Sequence, residues 1–346
     1  MTAQPLILST AALGPGPWPT LDPFLFCVHH HDAYPAGTME QGLAPQHLQG
    51  RNLGQDFSGH KGFSLYHGHP VPGFPVHPHR GFETVTITRV GCIDHSDSLG
   101  ATARYGDGDV QWLTAGAGIQ HCEMFPLRHA DRPNPTELFQ IWLNLDAQHK
   151  MAAPHFSMFW AEDVPVQTHT DANGRSTTVR CIAGTLGSTR SLPPPPESWA
   201  SRAGSDVAIF TAQLQAGAQW TLPAAQGAGT RRMLYFFAGD ALQVGKQRTD
   251  QHCALELDAT QDCALVAGTT DCEVLVLQGH PIGEPVAQYG PFVMNSRAEI
   301  EQAFADYRRT QFGGWPWNQP DPVHPPGQGR FARRPDGGVE RPAALL

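Results

Sequence analysis

Two short stretches constrain this chain more than anything else in it. Each places metal-capable side chains two residues apart: His77-Pro-His79 in the first, His121-Cys-Glu123 in the second. In an extended strand, residues i and i+2 point to the same face. Each pair can therefore reach a single point. If the two strands face one another, three imidazoles and a carboxylate converge. A nitrogen and oxygen donor set without thiolate suits Fe, Mn, Ni, Cu or Zn better than a soft thiolate-bound centre.

The surrounding pattern is that of strands. Positions 77, 79, 81, 83, 85 and 87 are His, His, Gly, Glu, Val and Ile, and the opposite face carries Arg80, Phe82, Thr84, Thr86 and Thr88. This two-residue period with β-branched enrichment predicts one strand running on from His77. Its ligand face continues into Val85 and Ile87, so these two are expected to wall an apolar pocket. Ile119 and Phe125, flanking the second pair, are expected to do the same. Gly91 ends the strand, Ile93 to Gly100 reads as a polar hairpin region, and Gly106-Asp-Gly108-Asp as a tight turn before a strand over Val110–Thr114. Leu138 to Leu145 alternates again, with Phe139, Ile141 and Leu143 on one face and Gln140, Trp142 and Asn144 on the other. A packed sheet is the expected reading there, ahead of Gln140 or Trp142 acting at the site. Two other histidine groups are read as non-ligating, with His67 still placed to line the approach to a pocket. His29-His30-His31 cannot aim three consecutive rings at one point in an extended chain, and His67-Gly-His69 lies among Pro and Gly turn residues.

Composition enters where it separates classes. Gly 36 and Pro 31 are abundant, and charged residues, at 16%, fall below the usual level of about 25%. Many turns with few charged surface helices predict an all-β chain of short strands. A net charge of −9 argues against a basic nucleic-acid surface. Seven scattered cysteines without a CxxC pair fit reduced thiols in a cytoplasmic protein rather than a zinc knuckle or redox dithiol. Met1-Thr-Ala-Gln-Pro5 lacks a basic n-region, and no apolar run approaches the roughly 20 residues of a membrane span. The expectation is a soluble, cytoplasmic protein.

A second strand-rich block follows the loop Leu192-Pro-Pro-Pro-Pro-Glu197, with runs at 206–214, 218–222, 232–237, 241–244, 253–257, 263–267 and 272–277. The spacing resembles that of the first block and predicts a repeat of one barrel. It offers Gln219-x-Thr221 where the first has His-x-His, so no metal is expected there. Ser296-Arg-Ala-Glu299 is a capping box, and Ile300, Phe304 and Tyr307 form the stripe of an amphipathic helix. After Gly313-Gly314 the chain is Pro/Gly-rich, with Trp315, Trp317 and Phe331 able to pin it. The expected organisation is a metal-binding barrel over 1–146, a barrel without metal ligands over 147–290, and a helix and tail over 291–346.

The stretch 73–123 resembles the two cupin motifs, and more narrowly the pirin family. The resemblance rests on His77-Pro-His79-Arg-Gly-Phe-Glu-Thr84, Gly108-Asp-Val-Gln-Trp112, Thr114 to Met124, and Gly290-Pro-Phe-Val-Met-Asn295, with Asp22-Pro-Phe24 and Tyr34-Pro-Ala-Gly37 beside them. It covers roughly 20 to 310. It implies a bicupin of two jelly-roll-like barrels face to face, with a metal only in the first. The implied ligands are His77, His79, His121 and Glu123. Glu83 competes as the carboxylate, because many other cupins use the glutamate shortly after the His pair; the pirin pattern favours Glu123. The implied cofactor is one divalent metal, Fe(II) first, with Mn, Ni, Co, Cu or Zn as alternatives. The implied activity is a quercetin-type flavonol 2,3-dioxygenase acting on a flavonoid-like aromatic substrate and dioxygen, with Glu123 as proton acceptor. The alternative is a metal- or redox-dependent regulator that binds a partner enzyme or transcription factor. The chain departs from the pattern in its tail after about 310, and in Ala117, where a basic residue is expected.

Overall fold

The structure is a computed structural model that describes residues 4–343. Short strands dominate it, with one α-helix, Arg297–Thr310, among the described residues. The chain divides into two compact units. One holds the chain up to Val28, Ile141–Asn144 and Asp163–Gly283; the other holds His29–Gln140, Leu145–Glu162 and the chain from Glu284 onward.

A five-stranded sheet, most of it in the second of these, is ordered His155–Phe159, Val110–Thr114, Phe82–Val90, Asn134–Asn144, Phe24–Tyr34. A six-stranded sheet runs Val339–Glu340, Phe331–Arg333, Thr102–Gly106, Cys92–Asp97, Ile119–Met124, Gly73–His79. Gly73–His79 lies at the edge of its sheet, which is why Pro75 and Pro78 are tolerated: neither can donate to a ladder. A buried cluster that includes Tyr34, Leu65, Ile93, Tyr105, Leu113 and Phe156 fills the unit.

The expected single strand from His77 to Ile87 is two strands. Gly73–His79 ends at Arg80-Gly81, and Phe82–Val90 begins in the other sheet. Gly81 takes φ +85, and a Cβ there would lie 1.9 Å from the Val293 carbonyl oxygen. Only glycine fits such a left-handed, closely approached position. Lys150 Nζ donates to the carbonyls of Gly81 (2.8 Å) and Val293 (3.1 Å), holding the turn against Phe292–Met294. The turn reverses the face parity of every residue after it.

The expected polar hairpin region at 93–100 is present, and its first arm is a strand of the sheet that pairs antiparallel with Thr102–Gly106 around the turn. Cys92–Asp97 is buried between Thr102–Gly106 and Ile119–Met124. The helix forms as read: the Ser296 hydroxyl accepts from Glu299 N, and Ile300, Phe304 and Tyr307 pack with Phe292. The tail contributes two strands of its own. Phe331–Arg333 pairs with Thr102–Gly106, and Trp317 Nε1 donates to Asp97 O at 2.8 Å. Beneath it, Arg104 makes a fully buried bidentate pair with Asp94 (2.6 and 2.7 Å) and donates to the carbonyls of His324, Pro325 and Gln328.

In the other unit a seven-stranded sheet runs Ile7–Ala12, Cys253–Leu257, Arg231–Ala238, Cys272–Gly279, Ala208–Leu214, Ser176–Ala183, Val166–Thr170. A four-stranded sheet runs Gln219–Leu222, Cys263–Ala267, Leu242–Val244, Gln247–Thr249. The enclosed cluster is apolar, with Phe210, Trp220, Leu234, Phe236 and Val274 among its members. Gln219 and Thr221 face outward, and Trp220 and Leu222 fill the inside.

Candidate metal centre

Three imidazoles meet in the first barrel. Gly73–His79 pairs antiparallel with Ile119–Met124, and His77 stands opposite His121. A register shift between Phe74 and His77 brings them into line. The His77 and His121 rings are 4.5 Å apart, His77 and His79 4.8 Å, and His79 and His121 4.9 Å between centroids. One nitrogen from each lies within 4.8 Å of the others, which groups the three rings as candidate ligands of one ion.

Backbone carbonyls orient two of the rings. His77 Nδ1 lies 2.8 Å from Pro75 O and His79 Nδ1 3.3 Å from Pro291 O, so each donates there and Nε2 carries the lone pair. His121 is fully buried, and both of its ring nitrogens lack a hydrogen-bond partner. A buried imidazole with no protein partner is strongly disfavoured unless something else engages it. The donor set and this orphaned ring fit a bound metal ion. Burial first, and then the neighbouring imidazoles, lower the pKa of His121 and His79 well below the ordinary value; burial takes His77 to about 4. All three rings are neutral, the form that ligates.

Glu123 Oε2 lies 4.0 Å from His121 Nε2. The carboxylate is 5% exposed, and burial raises its pKa against the opposing pull of His95, Thr86 and Gln140. Gln140 Nε2 donates to Glu123 Oε2 at 3.2 Å. Thr86 Oγ1 lies 3.1 Å from Glu123 Oε1 and 2.6 Å from Gln140 Oε1. A hydroxyl carries one proton, so it serves one of these acceptors at a time.

The turn at Gly81 explains which residues the alternation misplaces. Thr86, read as facing away, points at Glu123. Glu83, read as sharing the ligand face, instead accepts from Thr114 Oγ1 at 2.6 Å on the opposite face of its sheet. Val85 and Ile87 go with Glu83, so they do not wall the metal chamber. Its apolar surroundings are Phe82, whose ring is 5.0 Å from His79, Phe74 at 6.3 Å from His77, and Phe125 at 6.1 Å from Phe74. Gln140 does reach the site, against the packed-sheet reading.

His95 is the residue the sequence reading passed over. Its ring is 5.6 Å from that of His121 and its backbone pairs with Glu123. Gln111 Nε2 donates to its Nδ1 at 3.1 Å, and its Nε2 lies 3.3 Å from Asp97 Oδ2. The spacing of Ile93, His95 and Asp97 at i, i+2, i+4 was the available signal. His67 is exposed, its Nδ1 2.8 Å from Gly54 O, and the His29 ring is 2.8 Å from Glu137. Neither belongs to the imidazole cluster.

Two barrels built on short antiparallel strands, one enclosing a three-histidine cluster, define a protein of the cupin class with two cupin domains. Comparison with known proteins narrows this. The pirin family model matches residues 17–143, and that of the pirin C-terminal cupin domain residues 209–313. The chain belongs to the pirin family. It is 37% identical over 240 residues to a pirin-like protein of Caulobacter vibrioides, covering 69% of this chain and 80% of that one. It is 31% identical over 257 residues to mouse pirin, covering 72% and 81%. Among solved structures, a quercetin 2,3-dioxygenase from Acinetobacter baumannii superposes with a TM-score of 0.68 at 27% identity, covering 89% of this chain and 96% of that one.

Proposed function

We propose that this protein is a metal-dependent flavonol 2,3-dioxygenase of the quercetin type, its ion held by His77, His79, His121 and Glu123. The observation that carries the reading is a cluster of three neutral imidazoles, two of them buried, with a carboxylate 4.0 Å away. The similarity to the Acinetobacter baumannii quercetin 2,3-dioxygenase supports the substrate class. When bound, an iron(II), manganese, cobalt, nickel or copper ion supplies Lewis acidity and open positions for the substrate and dioxygen.

The chain's own residues do the rest. The Glu123 carboxylate accepts the proton of the substrate's 3-hydroxyl, and Thr86 and Gln140 hold it in place for that transfer. His77 and His79 are fixed by the Pro75 and Pro291 carbonyls, so the rings need not reorganise. Phe74, Phe82 and Phe125 keep the chamber apolar and suit a flat aromatic ligand. One flavonol and one dioxygen yield one depside and one carbon monoxide, which balances without a further oxidant. The seven unpaired cysteines accord with a reducing, cytoplasmic setting.

The test is to supply quercetin and oxygen to protein loaded in turn with iron, manganese, cobalt, nickel and copper. Loss of the flavonol absorbance with release of carbon monoxide is expected. Absence of both with every metal refutes the assignment.

A further inference from the structure

The segment between Arg51 and His67 is held far more firmly than an ordinary surface loop. Arg51 donates from Nη1 to Asp56 Oδ2 (2.6 Å) and Phe63 O (3.0 Å), from Nη2 to His60 O (2.6 Å) and from Nε to His47 O (2.9 Å). Its guanidinium also lies 3.9 Å over the Phe63 ring. Asp56 and Tyr66 exchange both backbone hydrogen bonds at 2.8 Å. Tyr66 takes the left-handed φ of 59, and its hydroxyl donates to Asp32 at 2.7 Å and lies 2.8 Å from His30 Nδ1. Strained backbone that its surroundings over-determine is a mark of functional segments.

This rigid frame holds one large aromatic ring out in solvent. Phe57 is 55% exposed although its neighbour Asp56 is 2% exposed. Its ring meets Tyr66 edge-on at 5.4 Å and His67 at 5.1 Å. From there the rings form a continuous path: His67 to Phe74 at 5.8 Å, then Phe74 to His77 at 6.3 Å. Of the three clustered imidazoles His77 is half-buried, whereas His79 is 5% and His121 0% exposed. The path therefore meets the cluster on its more open side. The orientation of His67 matters too. Its Nδ1 donates to Gly54 O at 2.8 Å, which leaves Nε2 as a hydrogen-bond acceptor.

We propose that Phe57, His67 and Phe74 form a ring-recognition platform beside the metal chamber, taking the outer ring of a planar hydroxylated aromatic ligand. Phe57 and Phe74 supply aromatic surface, and His67 Nε2 accepts from a phenolic hydroxyl. The platform rests on the flavonol reading of the chamber and adds the residues that choose among flavonols. It gives His67 a role that ligation does not.

Binding is measured apart from turnover, on protein loaded with zinc, which has no redox change. The probes are quercetin, whose outer ring carries two hydroxyls, and galangin, whose outer ring carries none. Phe57→Ala is expected to weaken binding of both by about three- to tenfold, the range of one aromatic contact, with zinc content unchanged and affinity regained in Phe57→Tyr. His67→Phe is expected to keep galangin affinity and to lose the preference for quercetin. Wild-type affinity in Phe57→Ala, or an unchanged preference in His67→Phe, overturns the platform. So does a wild-type protein that binds neither flavonol. Oxygen uptake is followed separately on iron-loaded protein. If binding and its dependence on Phe57 and His67 hold while no oxygen is consumed, the platform stands and the dioxygenase reading alone fails.

Discussion

Replacing Glu123 and Glu83 in parallel by glutamine separates the two carboxylates that a cupin could use. Each change keeps the side-chain size and removes the charge. Donors on one ion sit about 2.0–2.2 Å from it, so two ligand atoms can be at most about 4.4 Å apart. Glu123 Oε2 and His121 Nε2, 4.0 Å apart, meet that limit. Glu83 does not share the chamber, because its carboxylate accepts from Thr114 across the sheet's other face. Loss of an outer-shell partner already lowers metal affinity about 10–100-fold, or about 1.4–2.7 kcal/mol. Glu123→Gln should lose at least that much. Glu83→Gln should retain wild-type metal affinity and show instead a stability loss of about 1 kcal/mol, because a charged acceptor for a buried hydroxyl is weakened. Competition against a chelator of known affinity, with metal content after dialysis, reads the first effect; thermal unfolding reads the second. Metal loss in Glu83→Gln with retention in Glu123→Gln would refute the geometry.

Four further outcomes follow from the same structure. Gln140→Leu removes a donor to Glu123 and should weaken metal binding about 10–100-fold; unchanged retention on dialysis would show that Thr86 suffices. Gly81→Ala places a Cβ 1.9 Å from Val293 O at a φ of +85, so both melting temperature and metal content should fall together, and a wild-type value for either counts against the turn's role. Arg104→Met strands the buried Asp94 carboxylate and should cost about 3–5 kcal/mol, with new protease cleavage in the 314–330 segment as the tail is released; an uncleaved tail contradicts this. Finally, the clustered imidazoles titrate below the unfolded value of about 6.5, His77 at about 4. The unfolded chain therefore takes up protons first, and metal-free protein should be fully stable above about pH 6.5 and lose stability as pH falls from there toward 4. A melting temperature that stays flat across that window would be inconsistent with neutral buried rings.

Much of the centre was legible because it is local. His77 with His79, and His121 with Glu123, share a face through the two-residue period of a strand, whatever surrounds them. The helix was legible for the same reason, its cap and apolar stripe lying within one short segment. Thr86, Glu83, Val85 and Ile87 were assigned to the wrong faces. The alternation runs unbroken through Gly81, and the break depends on Val293 and Lys150, about 210 and 70 residues away in the chain. His95 was passed over because its strand is polar. Polar residues are expected in a hairpin, and only its place between two other strands shows that Asp94, His95 and Asp97 are buried and partnered.

The sequence by itself determined the all-β class, the two strand-rich blocks, and which side chains could converge as ligands, since composition and short-range periodicity carry all three. The tertiary structure decided which carboxylate faces the imidazoles, what holds it, and that the tail is part of a barrel sheet. Those depend on contacts between residues distant in the chain, and a single turn at Gly81 is enough to exchange one face for the other.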